Sequence, residues 1–352
     1  MSTKLRIAGE DIKPGTRVTL NLPIPQLYTH TPMEMPVHVV RGKHEGPRLF
    51  VCAAIHGDEL NGVEIIRRLM NQSNLKRIYG TLIAIPIVNV YGVIHHSRYL
   101  PDRRDLNRSF PGSDKGSLAS RLAHLLMTEV VAKATHAIDL HTGAVHRSNV
   151  PQIRADLDDH NARKLATAFG VPVILNSKLR DGSLRAAACD HGIPIMIYEA
   201  GEALRFDEVS IRVGLRGINN VMQALGMLPA KRKHGTPKKS SRPKQPFTAH
   251  SSSWVRAPIS GVLLNSTKLG ATVNSGDTLA AVADPFGQTQ IEIKANVSGV
   301  VIGRTHLPLV NEGDAVIHIA RFENVSAVAD EVSAFQDSEQ EAIDRDESSG
   351  IV

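Results

Sequence analysis

Two histidines and one glutamate of this chain have the side-chain types and the spacing of a metal-binding set. His56 and Glu59 are separated by two residues, and His141 lies further along the chain. A catalytic zinc ion takes three protein ligands from imidazole and carboxylate groups and leaves one coordination position open. We therefore predict that His56, Glu59 and His141 bind one zinc ion per chain. Asp139, two residues before His141, would face the same side of an extended strand and could orient the imidazole.

One apolar run precedes His56 and Glu59, and another precedes His141. This pattern predicts that strands position these three residues. Residues 49–55 have the composition of a buried strand, and residues 59–72 have apolar side chains at helical spacing. Residues 137–143 form a second predicted strand, which carries His141 near its end. In open α/β sheets, ligands bind at the carboxyl ends of the strands. The two histidines can therefore meet at one ion if their strands are neighbours.

Strands and helices alternate through the first two thirds of the chain. We predict further strands at 82–88, 171–175 and 194–198, and further helices at 118–134, 159–169 and 207–226. This alternation predicts an α/β domain over residues 1–228, with a mixed, mostly parallel sheet that has helices on both faces. A long polar segment, 95–117, interrupts the pattern, and loops of this length in a compact domain are usually functional.

The composition changes after this domain. Residues 229–253 are rich in Lys, Arg, Pro and Ser, which predicts a basic flexible linker. Residues 254–322 contain a repeated unit, because Val255–Val262 is echoed by Ile293–Val300, and both halves have Gly-Asp turns. This repeat predicts a small all-β barrel-sandwich domain. Residues 323–352 hold nine acidic residues and one arginine, which predicts a disordered tail.

Charge and composition narrow the classes of partner. The net charge is +6, and residues 231–244 alone contain seven Lys or Arg and no acidic residue. We interpret this run as part of the linker rather than as a nucleic-acid patch. Aromatic residues make up only 4% of the chain, which disfavours a stacking surface for nucleic acid. The rest of the chain is mildly basic, which suits a small anionic substrate.

Membrane and redox features point to the cytoplasm. The chain has no apolar run near the roughly 18 to 20 residues that span a bilayer, so we predict no membrane partner and a cytoplasmic location. Its two cysteines, Cys52 and Cys189, are too few for a disulfide framework. The sequence leaves the oligomeric state open, a homo-oligomer included.

Four short motifs resemble those of a known family. They are H-G-D-E at 56–59, D-L-N-R-S-F-P-G at 105–112, D-L-H-T-G at 139–143 and Y-E-A-G at 198–201. In this order they resemble motifs of the succinylglutamate desuccinylase/aspartoacylase family, a branch of the zinc carboxypeptidase-like hydrolases. The resemblance covers about residues 45–228 and implies the sheet of that fold.

The resemblance implies roles for individual residues. His56, Glu59 and His141 would be the zinc ligands, in agreement with their types and spacing. Glu199 would be the general base and acid, because a carboxylate near an activated water can take a proton and pass it to the leaving amine. A buried carboxylate paired for structural reasons is the alternative interpretation of Glu199.

The D-L-N-R motif and the segment before it would bind the substrate. Asn107 and Arg108 would hold a substrate carboxylate, since a guanidinium group pairs with carboxylate in a bidentate way. Arg98 would stabilise the oxyanion that develops on the carbonyl. Arg103 or Arg104 is the alternative for this last role, because the segment between Arg98 and the motif is long.

We therefore predict a zinc-dependent amidohydrolase that removes an acyl group from an N-acyl amino acid or a similar small anionic amide. A zinc carboxypeptidase that acts on a peptide or a modified side-chain amide is the first alternative, and a non-catalytic binding protein on the same fold is the second. The C-terminal repeat is similar to a biotinyl/lipoyl barrel. Gln288 stands where such a carrier has its lysine, so we predict an unmodified barrel.

Overall fold

The structure, a computed structural model, describes residues 4–229 and 246–348. Its helices are α1 (Asn61–Met70), α2 (Val90–Ile94), α3 (Leu118–Glu129), α4 (His160–Phe169), α5 (Leu184–Asp190), α6 (Glu208–Ala224) and α7 (Val325–Ser348). Its strands are β1 (Arg6–Ile7), β2 (Glu10–Asp11), β3 (Arg17–Ile24), β4 (Met33–Arg41), β5 (Arg48–Ala53), β6 (Thr81–Ile85), β7 (His136–Gly143), β8 (Arg147–Ala155), β9 (Val173–Asn176), β10 (Ile195–Glu202), β11 (Phe247–Ala249), β12 (Ser251–Arg256), β13 (Gly261–Leu264), β14 (Thr272–Val273), β15 (Thr278–Ala283), β16 (Gln290–Lys294), β17 (Gly299–Thr305), β18 (Leu309–Val310) and β19 (Ala315–Arg321).

A large mixed sheet organises the molecule. Its strand order is β12-β19-β17-β8-β10-β7-β5-β6-β4-β3. The central strands β6, β5, β7 and β10 are parallel to their neighbours in this group, whereas β8, β4 and β3 join the sheet antiparallel. The α/β prediction with a mixed sheet is therefore confirmed, and its parallel part is the centre of the sheet.

Helices cover both faces of the sheet because its central strands are apolar on both sides. Along β5, Phe50 and Cys52 belong to a core that includes α3 and α5. Val51 and Ala53, which alternate with them, belong to a second core that includes α1, α4 and α6. Side chains that alternate along a strand point to opposite faces, so a continuous apolar run produces a sheet with two cores.

The register of the central strands brings the predicted site residues together. Strand β5 lies beside β7, with Cys52 opposite Asp139. Strand β10 lies on the other side of β7, with Glu199 opposite His141. We predicted that this last strand ends at residue 198, but it continues to Glu202. Glu199 is therefore on a strand next to His141, rather than on a loop.

The C-terminal β region continues the same sheet. Strands β12, β19, β17 and β14 belong to the large sheet, and β16, β15, β13 and β18 form a separate four-stranded sheet. Apolar side chains from both groups, such as Val255, Leu279 and Ile317, form one core. Strand β17 pairs with β8, with Gly303 opposite Asn149. The C-terminal region is thus joined to the α/β region by backbone hydrogen bonds.

The predicted linker of residues 229–253 is tested only in part, because residues 230–245 lie outside the described residues. Its last part was predicted wrongly, since β11 and the start of β12 lie within it. Strand β11 pairs in parallel with β9, with Phe247 opposite Val173. The polar composition of this segment is typical of a linker. A strand can nevertheless form there, because backbone pairing with an open sheet edge does not require apolar side chains.

The acidic C-terminal segment forms helix α7, so the prediction of a disordered tail over residues 323–352 is wrong for most of its length. Val332 and Phe335 are buried on one face of this helix. Glu339 forms an ion pair with Arg216 of α6, with 2.6 Å between its Oε1 and Arg216 Nη1. The apolar residues of α7 are sparse among many acidic ones, so its composition resembles that of a disordered segment. Across the described ranges, α7 and the other helices are all too short or too polar to cross a membrane.

Helix α7 is expected to contribute measurably to stability through Phe335. This side chain is 3% exposed, and its ring lies 5.6 Å from the Arg216 guanidinium carbon. We expect Phe335→Ala to lower the free energy of unfolding by about 3 to 5 kcal/mol, because it leaves a cavity in the core. Denaturant unfolding measures this change. Ser333→Ala, at an exposed position of the same helix, is the control and should change stability by less than about 0.5 kcal/mol. Equal stability of the two variants would mean that α7 is not docked.

Candidate metal and substrate site

His56, Glu59 and His141 form a buried cluster at the carboxyl ends of β5 and β7. Each offers one ligand atom, and these atoms lie within 4.8 Å of one another. His56 Nδ1 is 2.7 Å from Glu59 Oε1, and His141 Nδ1 is 2.8 Å from Glu59 Oε2. Both imidazoles therefore direct the same ring nitrogen toward one carboxylate, and the three residues could hold one metal ion.

A further carboxylate lies behind each imidazole. His141 Nε2 is 2.7 Å from Asp139 Oδ2, and His56 Nε2 is 3.2 Å from Asp105 Oδ1. A partner on the outer nitrogen fixes the orientation of a ring and leaves the inner nitrogen for a metal ion. Asp139 lies where the strand alternation predicted it. Asp105 is the first residue of the D-L-N-R motif, and the structure places it against His56.

The electrostatics of the cluster favour positive charge at its centre. Burial by itself lowers the pKa of both histidines, but nearby carboxylates outweigh it. Glu59 raises the pKa of His56, and Asp139 together with Glu59 raises that of His141 well above its usual range. Burial likewise raises the pKa of Glu59, but the two imidazoles outweigh it and bring that pKa far below its usual range. A divalent cation would supply the same charge in place of the imidazole protons, so these residues fit a metal ion.

Arg98 reaches the same cluster. Its Nη1 is 3.2 Å from His56 Nδ1 and 3.4 Å from Glu59 Oε1. Its Nε and Nη2 donate to Asp105 Oδ2 at 3.2 and 2.9 Å. The alternatives from the sequence, Arg103 and Arg104, are both exposed on the loop. The structure thus brings Arg98, rather than these two, to the centre of the site.

Asn107 and Arg108 lie beside this centre and face the same cavity. The Oδ1 atom of Asn107 accepts a hydrogen bond of 2.9 Å from the backbone N–H of Leu184, which fixes the side-chain amide. Arg108 Nη1 donates to the backbone carbonyl of Asn107. Burial lowers the pKa of Arg108, and the positive charge of Arg180 lowers it further. Arg108 is therefore a guanidinium group in a region of excess positive charge, where an anion would be favoured.

Glu199 faces the cavity from β10, and its contacts fall on one oxygen. Glu199 Oε2 accepts hydrogen bonds from Asn149 Nδ2 at 3.1 Å and from Gln152 Nε2 at 3.4 Å. The same oxygen is 3.0 Å from Arg154 Nε. The side chain is 18% exposed, so it is partly open to the cavity. The carboxylate is therefore oriented by two hydrogen bonds and one ion pair while it keeps access to a bound molecule.

Strand β8, which carries these three side chains, was missed in the sequence. Its central residue, Pro151, cannot donate a ladder hydrogen bond, and proline within a run weakens a strand prediction. Antiparallel pairing with β10 nevertheless places Gln152 opposite Glu199. The same pairing places Asn149 opposite Gly201 and Arg154 opposite Ile197. The polar residues Asn149 and Gln152 lie close together in β8 and are both buried. Buried polar side chains need hydrogen-bond partners, so these residues were the signal in the sequence for a strand beside a polar site.

The cavity between these elements is small and cationic. Its volume is about 320 Å³. Its walls include two carboxylates, Glu59 and Glu199. Among the described residues, its cationic side chains are Arg98, Arg108, Arg147, Arg154, Lys178, Arg180 and Arg185. Trp254 of β12 also lines it, so the C-terminal region contributes to its wall. A cavity with this charge favours an anionic ligand.

Fold and cavity together define the class of this protein: a mixed α/β domain with a buried His–Glu–His centre at the carboxyl ends of parallel strands. The family model of the succinylglutamate desuccinylase/aspartoacylase catalytic domain matches residues 45–225, about half of the chain. The chain therefore belongs to the succinylglutamate desuccinylase/aspartoacylase family.

Relatives with known names agree with this assignment. The chain is similar to N-alpha-acetyl-L-2,4-diaminobutyric acid deacetylase of Halomonas elongata, with 28% identity over 300 residues, 81% of this chain and 85% of that protein. A solved succinylglutamate desuccinylase/aspartoacylase from Rhodobacter sphaeroides has a TM-score of 0.78 at 24% identity, covers 87% and 96% of the two chains, and shows the fold alone. The product-bound ectoine utilization protein EutE (DoeB) from Ruegeria pomeroyi has a TM-score of 0.75 at 25% identity, over 86% and 95%.

Proposed function

We propose that this protein is a zinc-dependent amidohydrolase that removes an acyl group from an N-acyl amino acid or a similar small anionic amide. One observation carries the proposal: the His56–Glu59–His141 cluster and the carboxylate of Glu199 share one small cationic cavity. The relative from Halomonas elongata is named as a deacetylase of an N-acetylated amino acid, which supports the same class of reaction.

Three side chains would hold the zinc ion. His56 and His141 would bind through Nδ1, the nitrogen that each directs to the centre, and Glu59 through its carboxylate. A bound zinc ion supplies Lewis acidity, which polarises the scissile carbonyl and lowers the pKa of water toward about 7. Asp105 and Asp139 would keep the two imidazoles in the orientation that binding requires.

Glu199 would move the proton. It would accept a proton from the attacking water, and it would then give this proton to the amide nitrogen, which leaves as the amine. The C–N bond breaks, a C–O bond forms, and the products are a carboxylate and an amine. Asn149, Gln152 and Arg154 orient Glu199 through Oε2. Among the described residues, no hydrogen bond occupies its second oxygen, which is the one we propose for proton transfer.

Three residues would bind the substrate. Arg108 would pair with the carboxylate of the amino acid, and Asn107, held by its bond to Leu184, would donate a hydrogen bond from its amide. Arg98 lies within 3.5 Å of both His56 and Glu59, so it would stabilise negative charge on the carbonyl oxygen as it develops.

The cavity favours a deacylase over a carboxypeptidase. Its volume of about 320 Å³ is at the low end for small-molecule sites, which suits one amino-acid derivative better than a peptide. A hydrolysis screen tests this choice. Zinc-loaded protein would be incubated with N-acetyl and N-succinyl amino acids and, as the comparison, with short unacylated peptides, and amine release would be measured. We expect release from the N-acyl amino acids only. Preferential cleavage of the peptides would support the carboxypeptidase alternative, and no cleavage at all would support a non-catalytic binding protein.

A further inference from the structure

Trp254 brings the C-terminal region into the candidate site. It is the one tryptophan of the chain, and it lies on β12, far along the sequence from the metal cluster. The side chain is half-buried and lines the cavity that also contains Glu59 and Glu199. None of the roles described above uses this residue.

Trp254 is held by a stack of side chains. Its ring lies 4.6 Å from that of His318, with only 9° between the two planes. His318 is 3% exposed, and burial, with a further contribution from the positive charge of Arg154, lowers its pKa to about 3. The imidazole is therefore neutral near pH 7 and presents a flat surface to the indole. This packing fixes the orientation of Trp254 before any ligand binds.

Arg147 lies over the same indole. Its guanidinium carbon is 5.1 Å from the ring of Trp254, within the range of a cation–π interaction. The guanidinium group also donates a long hydrogen bond of 3.4 Å from Nη2 to the carbonyl oxygen of Ala315. Within residues 4–229 and 246–348, no carboxylate forms an ion pair with Arg147. A guanidinium group above an aromatic ring keeps its N–H edge for ligands that lie in its own plane.

This stack and Glu199 are carried by different strands of the large sheet. In the large sheet, Trp254 pairs with His318, His318 with Gly303, and Gly303 with Asn149, which donates to Glu199. Four strand spacings of about 4.8 Å each separate β12 from β10. The continuous sheet thus fixes the backbone of β12 relative to the strand that carries Glu199.

We propose that Arg147, held against Trp254, is a specificity site for a planar oxygen acceptor, a carboxylate or carboxamide, at the end of the substrate remote from the bond that is cleaved. The guanidinium edge would donate hydrogen bonds to both acceptor types, and its charge would disfavour an ammonium group. The proposal rests on the proposed function. The proposal predicts that this chain disfavours N-acetyl-2,4-diaminobutyrate, whose side chain ends in an amine and which the name of the Halomonas elongata relative specifies.

The first test uses the tryptophan as an internal reporter. Glu199→Gln protein would be titrated with four probes: N-acetyl-L-glutamate, N-succinyl-L-norvaline, N-acetyl-L-norvaline and N-acetyl-L-2,4-diaminobutyrate. N-acetyl-L-glutamate has an additional carboxylate in the amino-acid side chain, and N-succinyl-L-norvaline has one in the acyl group. We expect saturable changes in tryptophan emission on titration. At least one of the two probes with an additional carboxylate should bind more tightly than N-acetyl-L-norvaline and N-acetyl-L-2,4-diaminobutyrate. Binding detected by calorimetry without any change in emission would overturn the proposal.

The second test measures the kinetics of Arg147→Met. We expect KM for the preferred carboxylate probe to rise about tenfold or more with kcat little changed, since hydrogen bonds to a charged group are lost. KM for N-acetyl-L-norvaline should stay the same. Trp254→Leu should raise the same KM, and Trp254→Phe, which keeps an aromatic face, should raise it less. Arg321→Met, which removes an exposed arginine of β19, is the matched control and should change nothing.

The outcomes separate this proposal from the proposed function. Equal increases in KM for all probes in Arg147→Met would overturn the specificity site alone, while hydrolysis by the native protein would still support the function. Emission changes without hydrolysis by the native protein would overturn the function alone. If no probe is bound or hydrolysed, both are wrong.

Discussion

Replacing His141 by alanine should remove the bound metal and lower kcat/KM by about a thousandfold or more. In the proposed site His141 is one of three ligands, and its loss leaves the carboxylates of Glu59 and Asp139 without the imidazole that now lies between them. Lewis-acid stabilisation is worth several kcal/mol, and each 1.36 kcal/mol is tenfold in rate. Metal content per chain and hydrolysis of the best N-acyl substrate are the measurements.

The His141→Ala variant needs a control for folding, because it breaks buried ion pairs. His95→Ala removes an exposed histidine and should keep both metal and activity. Circular dichroism of both variants would show whether the fold is retained. A folded His141→Ala protein with a full complement of metal would contradict the assignment of His141 as a ligand.

Glu199→Gln should retain the metal and lose about 10² to 10⁴ in kcat, the usual contribution of a general acid–base group. The amide keeps the shape of the carboxylate but cannot accept a proton from water. KM should change little, because Glu199 is not assigned to substrate binding. Steady-state kinetics on the best N-acyl amino acid, together with metal analysis, measure both parts of this prediction.

A nearby glutamate provides the matched control for Glu199→Gln. Glu202 lies on the same strand with its side chain 15% exposed, and its Oε2 is 3.8 Å from Nε of the exposed Arg205. Glu202→Gln makes the same chemical change three residues away, and we expect it to keep kcat. Wild-type kcat in Glu199→Gln would eliminate Glu199 as the base, whereas equal losses in both variants would point to a general effect of charge.

The meeting of His56, Glu59 and His141 could be predicted from the sequence because its signal is local. The His-x-x-Glu spacing and the apolar strands before His56 and before His141 are visible in short windows. Parallel pairing of these neighbouring strands then brings the three side chains together. The same local reasoning explains why the central α/β fold was predicted while several element boundaries differ by a few residues.

Features that depend on contacts between distant segments could not be predicted in this way. Strand β8 has a proline at its centre and lacks apolar alternation, yet it supplies the donors that orient Glu199. Trp254 follows a polar segment that resembled a linker, and only strand pairing places it in the cavity. Helix α7 is acidic overall, and its few apolar residues matter because a complementary surface on α6 exists. In each case tertiary pairing outweighed local composition.

Metal content tests the central claim most directly. The protein would be purified without chelators and analysed by elemental mass spectrometry, and hydrolysis of an N-acyl amino acid would be followed before chelation, after chelation and after zinc is returned. We expect one zinc ion per chain, loss of both zinc and hydrolysis on chelation, and recovery of both with zinc. Full hydrolytic activity in protein that contains no metal would contradict the claim.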